Sequence, residues 1–126
     1  MKQSRKQDDV FKKQKEHVES IPAEEWENLI ELYKIVKKEG VNDEALDQLH
    51  QMLNDVGIVY CFDWWNSSYS RKLFKDTCLD FSSCDLLELS IYLTIIFRSD
   101  RLNASIDRYF RSGVLAKLFN RLEEIT

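Results

Sequence analysis

One stretch decides the fold, and it is the most apolar of the chain: Ser82-Ser83-Cys84-Asp85-Leu86-Leu87-Glu88-Leu89-Ser90-Ile91-Tyr92-Leu93-Thr94-Ile95-Ile96-Phe97-Arg98. Its apolar residues recur at helical spacing on two sides, so they cover most of the circumference of a helix. A helix of this kind is buried, and we expect the rest of the chain to pack around it. Four of its residues should be among the most buried of the protein: Leu86, Leu89, Leu93 and Ile96.

Polar residues mark both ends of this central helix. Ser82, with Asp85 three residues later, predicts a capping box at its start. At the other end, we predict that the helix leaves the core at the polar cluster Arg98-Ser99-Asp100-Arg101. The apolar part is shorter than the roughly 20 residues that span a bilayer, so we expect no membrane association.

The composition indicates a mainly α protein. Of its 126 residues, 44% are hydrophobic and 12% aromatic, which is enough for a core without disulfides. Since 3 Gly and 1 Pro leave few turn signals for hairpins, we predict a compact single-domain bundle of about five or six helices around the buried central helix, with a short extended aromatic segment. The domain comprises residues 20–126, and the polar residues 1–19 form a partly frayed arm or helix.

The predicted helices flank a segment of different character. Apolar residues recur at helical spacing between Pro22 and Gly40 and again before Gly57, which predicts a helical hairpin. Ile58–Asn66 is aromatic and β-branched without that spacing, so it should be extended or irregular. A short helix should follow Ser68, and two more should follow the central helix.

Charge and cysteine content narrow the class of protein. The formal net charge of -4 and a pI near 5.2 disfavour a nucleic-acid binder. The three cysteines, Cys61, Cys78 and Cys84, are an odd set without a close pair, so we expect thiols in a reducing, cytoplasmic setting. Neither His17 nor His50 has the spacing of a zinc ligand, and we expect no metal.

The C-terminal half resembles a known family. The resemblance rests on Leu93–Leu102, Ser112–Leu115 and Leu118–Leu122, which are similar to the pattern of the small prokaryotic and phage proteins called domain of unknown function 6508. Two positions depart from that pattern, because Leu102 stands in place of Phe and Ser105 in place of Gly. The residues that match are Arg98, Asp100, Arg101, Ser112, Gly113, Arg121 and Leu122, and Phe62-Asp63-Trp64 resembles an aromatic and acidic segment upstream. The resemblance implies no established activity.

Two arginines and their neighbours form the candidate site. If the central helix continues through Arg101, the guanidinium groups of Arg98 and Arg101 leave the same side near its C-terminal end. In the structural interpretation they bond the last helix carbonyls and pair with Asp63, Asp80 or Asp107. In the functional interpretation they bind an anion beside an aromatic stacking surface. The candidate binding residues are Arg98, Arg101, Asp63, Trp64, Trp65 and Tyr69.

No catalytic arrangement is evident in the sequence. It contains no Gly-rich phosphate loop, no Gly-x-Ser-x-Gly elbow and no metal-ligating His pair. We therefore expect neither an enzyme nor a cofactor, and a small hydrolase built from scattered Asp and Glu ranks last.

The favoured function is that of a small cytoplasmic protein that binds another protein. Bacteria and phages carry such proteins as accessory or anti-defence factors, and this role leans on the family resemblance and on the missing catalytic motifs. The alternative is a sensor or sequestering module for a nucleotide-like anion. The sequence leaves the oligomeric state open, and a homodimer is compatible with it.

Overall fold

Six helices make up most of the described chain. The structure, a computed structural model, describes residues 5–39, 43–60, 68–75, 81–103, 108–109 and 112–126. These residues confirm the predicted mainly α bundle, and none of them lies in a strand. None of the described helices combines the length and the apolar character needed to cross a bilayer. The helices are α1 Arg5–Ser20, α2 Ala23–Glu39, α3 Asp43–Val56, α4 Ser68–Lys75, α5 Leu86–Asn103 and α6 Val114–Ile125.

The central helix, α5, packs against α1, α4 and α6. Residues 89–97 are all buried, and Leu89, Leu93 and Ile96 have no exposed surface, as predicted. The prediction was wrong for Leu86, which is half-buried because it lies in the first turn, beside a small cleft that it shares with Ile125.

The start of α5 differs from the predicted cap. The Asp85 carboxylate accepts a bond from the Glu88 backbone N–H at 2.9 Å, and the Glu88 carboxylate accepts one from the Asp85 N–H at 3.4 Å. This reciprocal pair is the capping box. Ser82 lies in a turn that the Cys84 N–H closes on the Phe81 carbonyl at 3.0 Å, so it stands too far upstream to cap the helix.

The predicted hairpin of α2 and α3 is present, and α2 also packs against α6. Tyr33 of α2 stacks on Phe119 of α6, with ring centroids 4.0 Å apart and planes 5° from parallel. Burial raises the pKa of Tyr33 to about 12. Helix α2 therefore connects α3, its partner in the hairpin, to α6.

The N-terminal residues form a helix that is attached to the core. Of the predicted arm or helix, residues 5–19 lie in α1, which packs on α5. Phe11, Gln14 and Val18 are buried at steps of three and four residues. Gln14 is the polar residue of these three, and it bonds the end of α3 and Ser90 of α5.

Candidate functional site

A left-handed turn ends α3. Gly57 has φ 84°, the Gly57 N–H donates to the Asn54 carbonyl at 3.1 Å, and the Ile58 N–H donates to the Leu53 carbonyl at 2.9 Å. This pair of bonds satisfies carbonyls at the helix end and requires a residue that tolerates positive φ. The carbonyls of Val56, Gly57 and Ile58 are then bonded by other helices.

Helices α1 and α5 fasten this turn from two sides. Gln14 Nε2 donates to the Gly57 carbonyl at 2.7 Å and to Ser90 Oγ at 3.0 Å. His17 Nε2 lies 2.7 Å from the Val56 carbonyl, and since a carbonyl only accepts, Nε2 carries the proton. We call Gln14, His17, Ser90 and Thr94, with the carbonyls of residues 56–58, the α3 clamp.

The part of the clamp on α5 is fully buried. Ser90 Oγ donates to the Ile58 carbonyl, and Thr94 Oγ1 donates to the Ser90 carbonyl at 2.8 Å. Thr94 Oγ1 also accepts the Tyr60 N–H at 3.3 Å. Buried polar groups with partners on several elements fix one arrangement of those elements. Ser90 and Thr94, two polar residues one turn apart on an apolar helix, were the signal that could have located the clamp in the sequence.

A concave surface runs along the outer side of α3. It encloses about 700 Å³. Three of its described lining residues are carboxylates and one, Met52, is apolar. The described lining residues are Glu44, Asp47, Gln48, Gln51, Met52 and Asp55.

A second concavity, the hinge cleft, lies where α1 meets α2. It encloses about 400 Å³ and shares Asp55 with the α3 surface. Ile21, Pro22 and Val56 give it apolar walls, and Glu25 adds a carboxylate. Among the described lining residues of both concavities, neither Lys nor Arg occurs. The two concavities together present an acidic face with an apolar recess at one end.

Arg98 is half-buried at the far end of the clamp. Its Nη2 donates to Asn54 Oδ1 at 3.4 Å, and Asn54 Nδ2 donates to the His50 carbonyl at 3.2 Å. Helix α5 continues through Arg101, as the two-arginine hypothesis requires. The Arg101 side chain and all of Asp63, Trp64 and Trp65 lie outside the described residues, as do Asp80 and Asp107.

Tyr69, the remaining predicted site residue, is placed elsewhere. Its ring meets Tyr92 edge-on at 5.5 Å and Phe11 at 6.3 Å, and Lys72 Nζ lies 5.9 Å above it. Tyr92 and Arg98 are six residues apart on α5, which is about 9 Å along the axis and roughly 240° around it. Tyr69 and Arg98 therefore lie on different sides of α5.

The described residues provide no metal centre. No group of three His, Cys, Asp or Glu side chains among them is close enough to hold an ion. Cys84 carries a buried thiol, and His17, the histidine of the clamp, bonds a backbone carbonyl. Within the described part of the chain, we therefore take the α3 clamp and the acidic face beside it as the candidate functional site.

Comparison with known proteins identifies the family. The model of the family of unknown function DUF6508 matches residues 8–126. The chain belongs to this family. The match extends well beyond the C-terminal half on which the resemblance rested, and it includes the whole clamp. No curated protein and no solved structure matches the chain.

Several residues of the DUF6508 resemblance hold α6 in place. Gly113, just before α6, has φ 85°, a conformation that favours glycine. Arg121 Nε donates to the Cys84 carbonyl at 3.0 Å, which ties α6 to the turn before α5. Leu122 has no exposed surface. In this DUF6508 protein, these three residues serve the fold.

Proposed function

We propose that the protein is a non-catalytic domain that binds another protein through the outer side of α3 and the hinge cleft. The observation that carries the proposal is the exposure of α3. Among the described helices it packs extensively on α2 alone, and its outer side holds the concave surface with Met52 and three carboxylates.

The mixture of groups on this face suits a protein partner. Ile21, Pro22, Val56 and Met52 offer apolar area, and the carboxylates around them form a polar rim. Protein interfaces combine an apolar centre with a polar rim in this way. The acidic rim also repels phosphate groups, which disfavours a nucleotide or nucleic acid at this face.

The α3 clamp supports the proposal by fixing the geometry of the face. It holds the C-terminal end of α3 against α1 and α5 through Gln14, His17 and Ser90. A surface held in one conformation loses little conformational freedom when it binds. The hinge cleft, which is lined by α1, the start of α2 and the end of α3, is thereby formed before a partner arrives.

Charge reversal of the face is expected to abolish partner capture. In the variant Asp47→Lys with Asp55→Lys, two lining carboxylates become cations, so the complementary partner should be repelled. The measurement is photo-crosslinking in host cells from a photoreactive amino acid at the exposed, lining position Gln51. We expect one major adduct with the native face and its loss with the reversed face.

The matched control reverses two other exposed carboxylates, Glu16→Lys with Glu27→Lys, which have the same charge change and line neither concavity. This control should keep the adduct. Binding at this face would be refuted if both double variants lost the adduct equally, or if neither variant lost it.

An anion at Arg98 is the second candidate, and one observation favours it. Among the described residues, the half-buried guanidinium of Arg98 donates only to the neutral side chain of Asn54. A planar guanidinium that has no carboxylate partner among the described residues can donate two parallel hydrogen bonds to a carboxylate or phosphate. The candidate has less support than protein binding, because the partners predicted to complete it, Trp64 and Trp65, lie outside the described residues.

Arg98→Ala is expected to lower the free energy of unfolding by about 1 kcal/mol, the net value of a typical hydrogen bond. Lys117→Ala, at an exposed position of α6, is the control and should be neutral. Urea unfolding of both variants measures the difference.

Thermal-shift screening with nucleotides and other anions then separates the two candidates. We expect a flat response. An anion that adds about 2.7 kcal/mol at a hundred times its dissociation constant, and does so only while Arg98 is present, would favour the sensor function instead.

The host process stays a prediction. An accessory or anti-defence role in a bacterium or phage, and a cytoplasmic location, were expected from the resemblance and from composition. Gene neighbourhood is the observation that tests the role, because defence genes or phage early genes beside this one would support it.

A further inference from the structure

We infer that the occupant of the acidic face is a basic amphipathic helix of a partner protein, with one apolar side chain inserted in the hinge cleft. This inference rests on the proposed protein-binding function and adds the chemistry of the partner. Three features of the face carry it: its length and direction, its charge, and the apolar recess at one end.

The lining residues form a straight stripe along one helix. Glu44, Asp47, Gln51 and Asp55 recur at steps of three and four residues, so they lie on one side of α3. From first to last the stripe is about 17 Å long at 1.5 Å per residue. A second helix laid along this stripe contacts it over about three turns. A peptide that binds by strand addition would instead need a free sheet edge, and the described residues contain no strand.

The charge of the stripe selects a cationic partner. Glu44, Asp47 and Asp55 line it, Glu25 lines the adjoining cleft, and no described Lys or Arg neutralises them from within the lining. Cations at helical spacing on the partner would meet these carboxylates in turn. Exposed ion pairs are individually weak, so their main effects are on orientation and association rate.

The hinge cleft supplies the apolar contact that exposed charges cannot. Its walls include half-buried Ile21 and Val56 with exposed Pro22, and its volume of about 400 Å³ exceeds that of any single side chain. Apolar side chains in such recesses are typical anchors of interfaces. Because Asp55 lines both concavities, one helix can place cations on the stripe and an anchor in the cleft.

Met52 is a built-in reporter for this binding. The chain has 2 Met, Met1 and Met52, so methyl labelling of methionine gives two NMR signals, and Met52 is among the described residues that line the face. The probe is a synthetic peptide of Lys and Leu in a helical amphipathic pattern. We expect it to shift the Met52 methyl signal, to bind at least tenfold more weakly to the Asp47→Lys, Asp55→Lys variant, and to keep its affinity for the Glu16→Lys, Glu27→Lys control.

Peptide controls test helicity and charge separately. A scrambled peptide of the same composition, which lacks an apolar face, and an amphipathic peptide with Glu in place of Lys should both leave Met52 unshifted. Equal binding of the scrambled peptide would overturn the inference, because charge alone would then suffice. A Met52 shift that depends on protein concentration without peptide would assign the face to a second copy of the chain and would overturn it as well.

The two levels of proposal fail differently. If the Gln51 crosslink captures a protein but the amphipathic peptide leaves Met52 unshifted, the basic-helix inference is wrong and the protein-binding function stands. If the native face gives no adduct, the function itself is wrong.

Discussion

Leu93→Ala is expected to lower the free energy of unfolding by about 2 to 5 kcal/mol, the usual range for a large cavity in a core. Leu93 has no exposed surface and lies in the middle of the buried part of α5. Helices α1, α4 and α6 all pack on α5, so a cavity there weakens several packing interfaces at once. Urea unfolding followed by circular dichroism gives the value.

Ile35→Ala is the control for this prediction, since Ile35 is 50% exposed and its truncation should change stability by less than about 0.5 kcal/mol. A loss at Leu93 no larger than that at Ile35 would mean that α5 is not the centre of the fold.

Gly57→Ala is expected to cost about 2 kcal/mol or more through two separate effects. A non-glycine residue in the left-handed conformation costs about 1 to 2 kcal/mol, and Gly57 has φ 84°. In addition, an added Cβ would lie 2.5 Å from His17 Nε2, so the imidazole must move and its bond to the Val56 carbonyl must weaken. Thermal and urea unfolding of the variant measure the sum.

Gly113→Ala separates the two effects. Gly113 has nearly the same φ, 85°, but an added Cβ there has no neighbour within 4 Å among the described residues. This variant therefore reports the conformational cost alone, and the excess loss at Gly57 reports the displacement of His17. Equal losses at both glycines would contradict the close packing of α1 on the end of α3.

The sequence predicted the elements with strong periodicity and missed the contacts between them. The apolar pattern of residues 86–97 was sufficient for α5, because a helix that is apolar on most sides has few other places to lie. Its cap was misassigned because both Ser82 and Asp85 begin a capping-box pattern. Only the local turn at residues 81–84 shows that the helix starts after Asp85.

Ser90 and Thr94 mark the α3 clamp in the sequence, but their partners could not be predicted, because most acceptors of the clamp are backbone carbonyls. Gln14 lies among charged residues on α1, and only Phe11 and Val18, three residues before it and four after it, indicate that its side of the helix is buried. Its burial depends on the Gly57 carbonyl and Ser90 Oγ, both far away along the chain. For the candidate site, the sequence left open whether α5 continues through Arg101, and the structure shows that it does. The separation of Tyr69 from Arg98 follows from the positions of α4 and α5.

The clamp also dictates an order of events during synthesis. The bond from Gln14 to Ser90 spans 76 residues of sequence, so α1 leaves the ribosome long before its acceptor exists. Before the end of α3 is made, the carbonyls that Gln14 and His17 bond do not exist, and the bond from Gln14 to Ser90 waits for α5. A helix as polar as α1 gains little from folding alone. The first helix to be made is therefore among the last to reach its native position, and a nascent chain that stops before residue 90 cannot complete the end of α3.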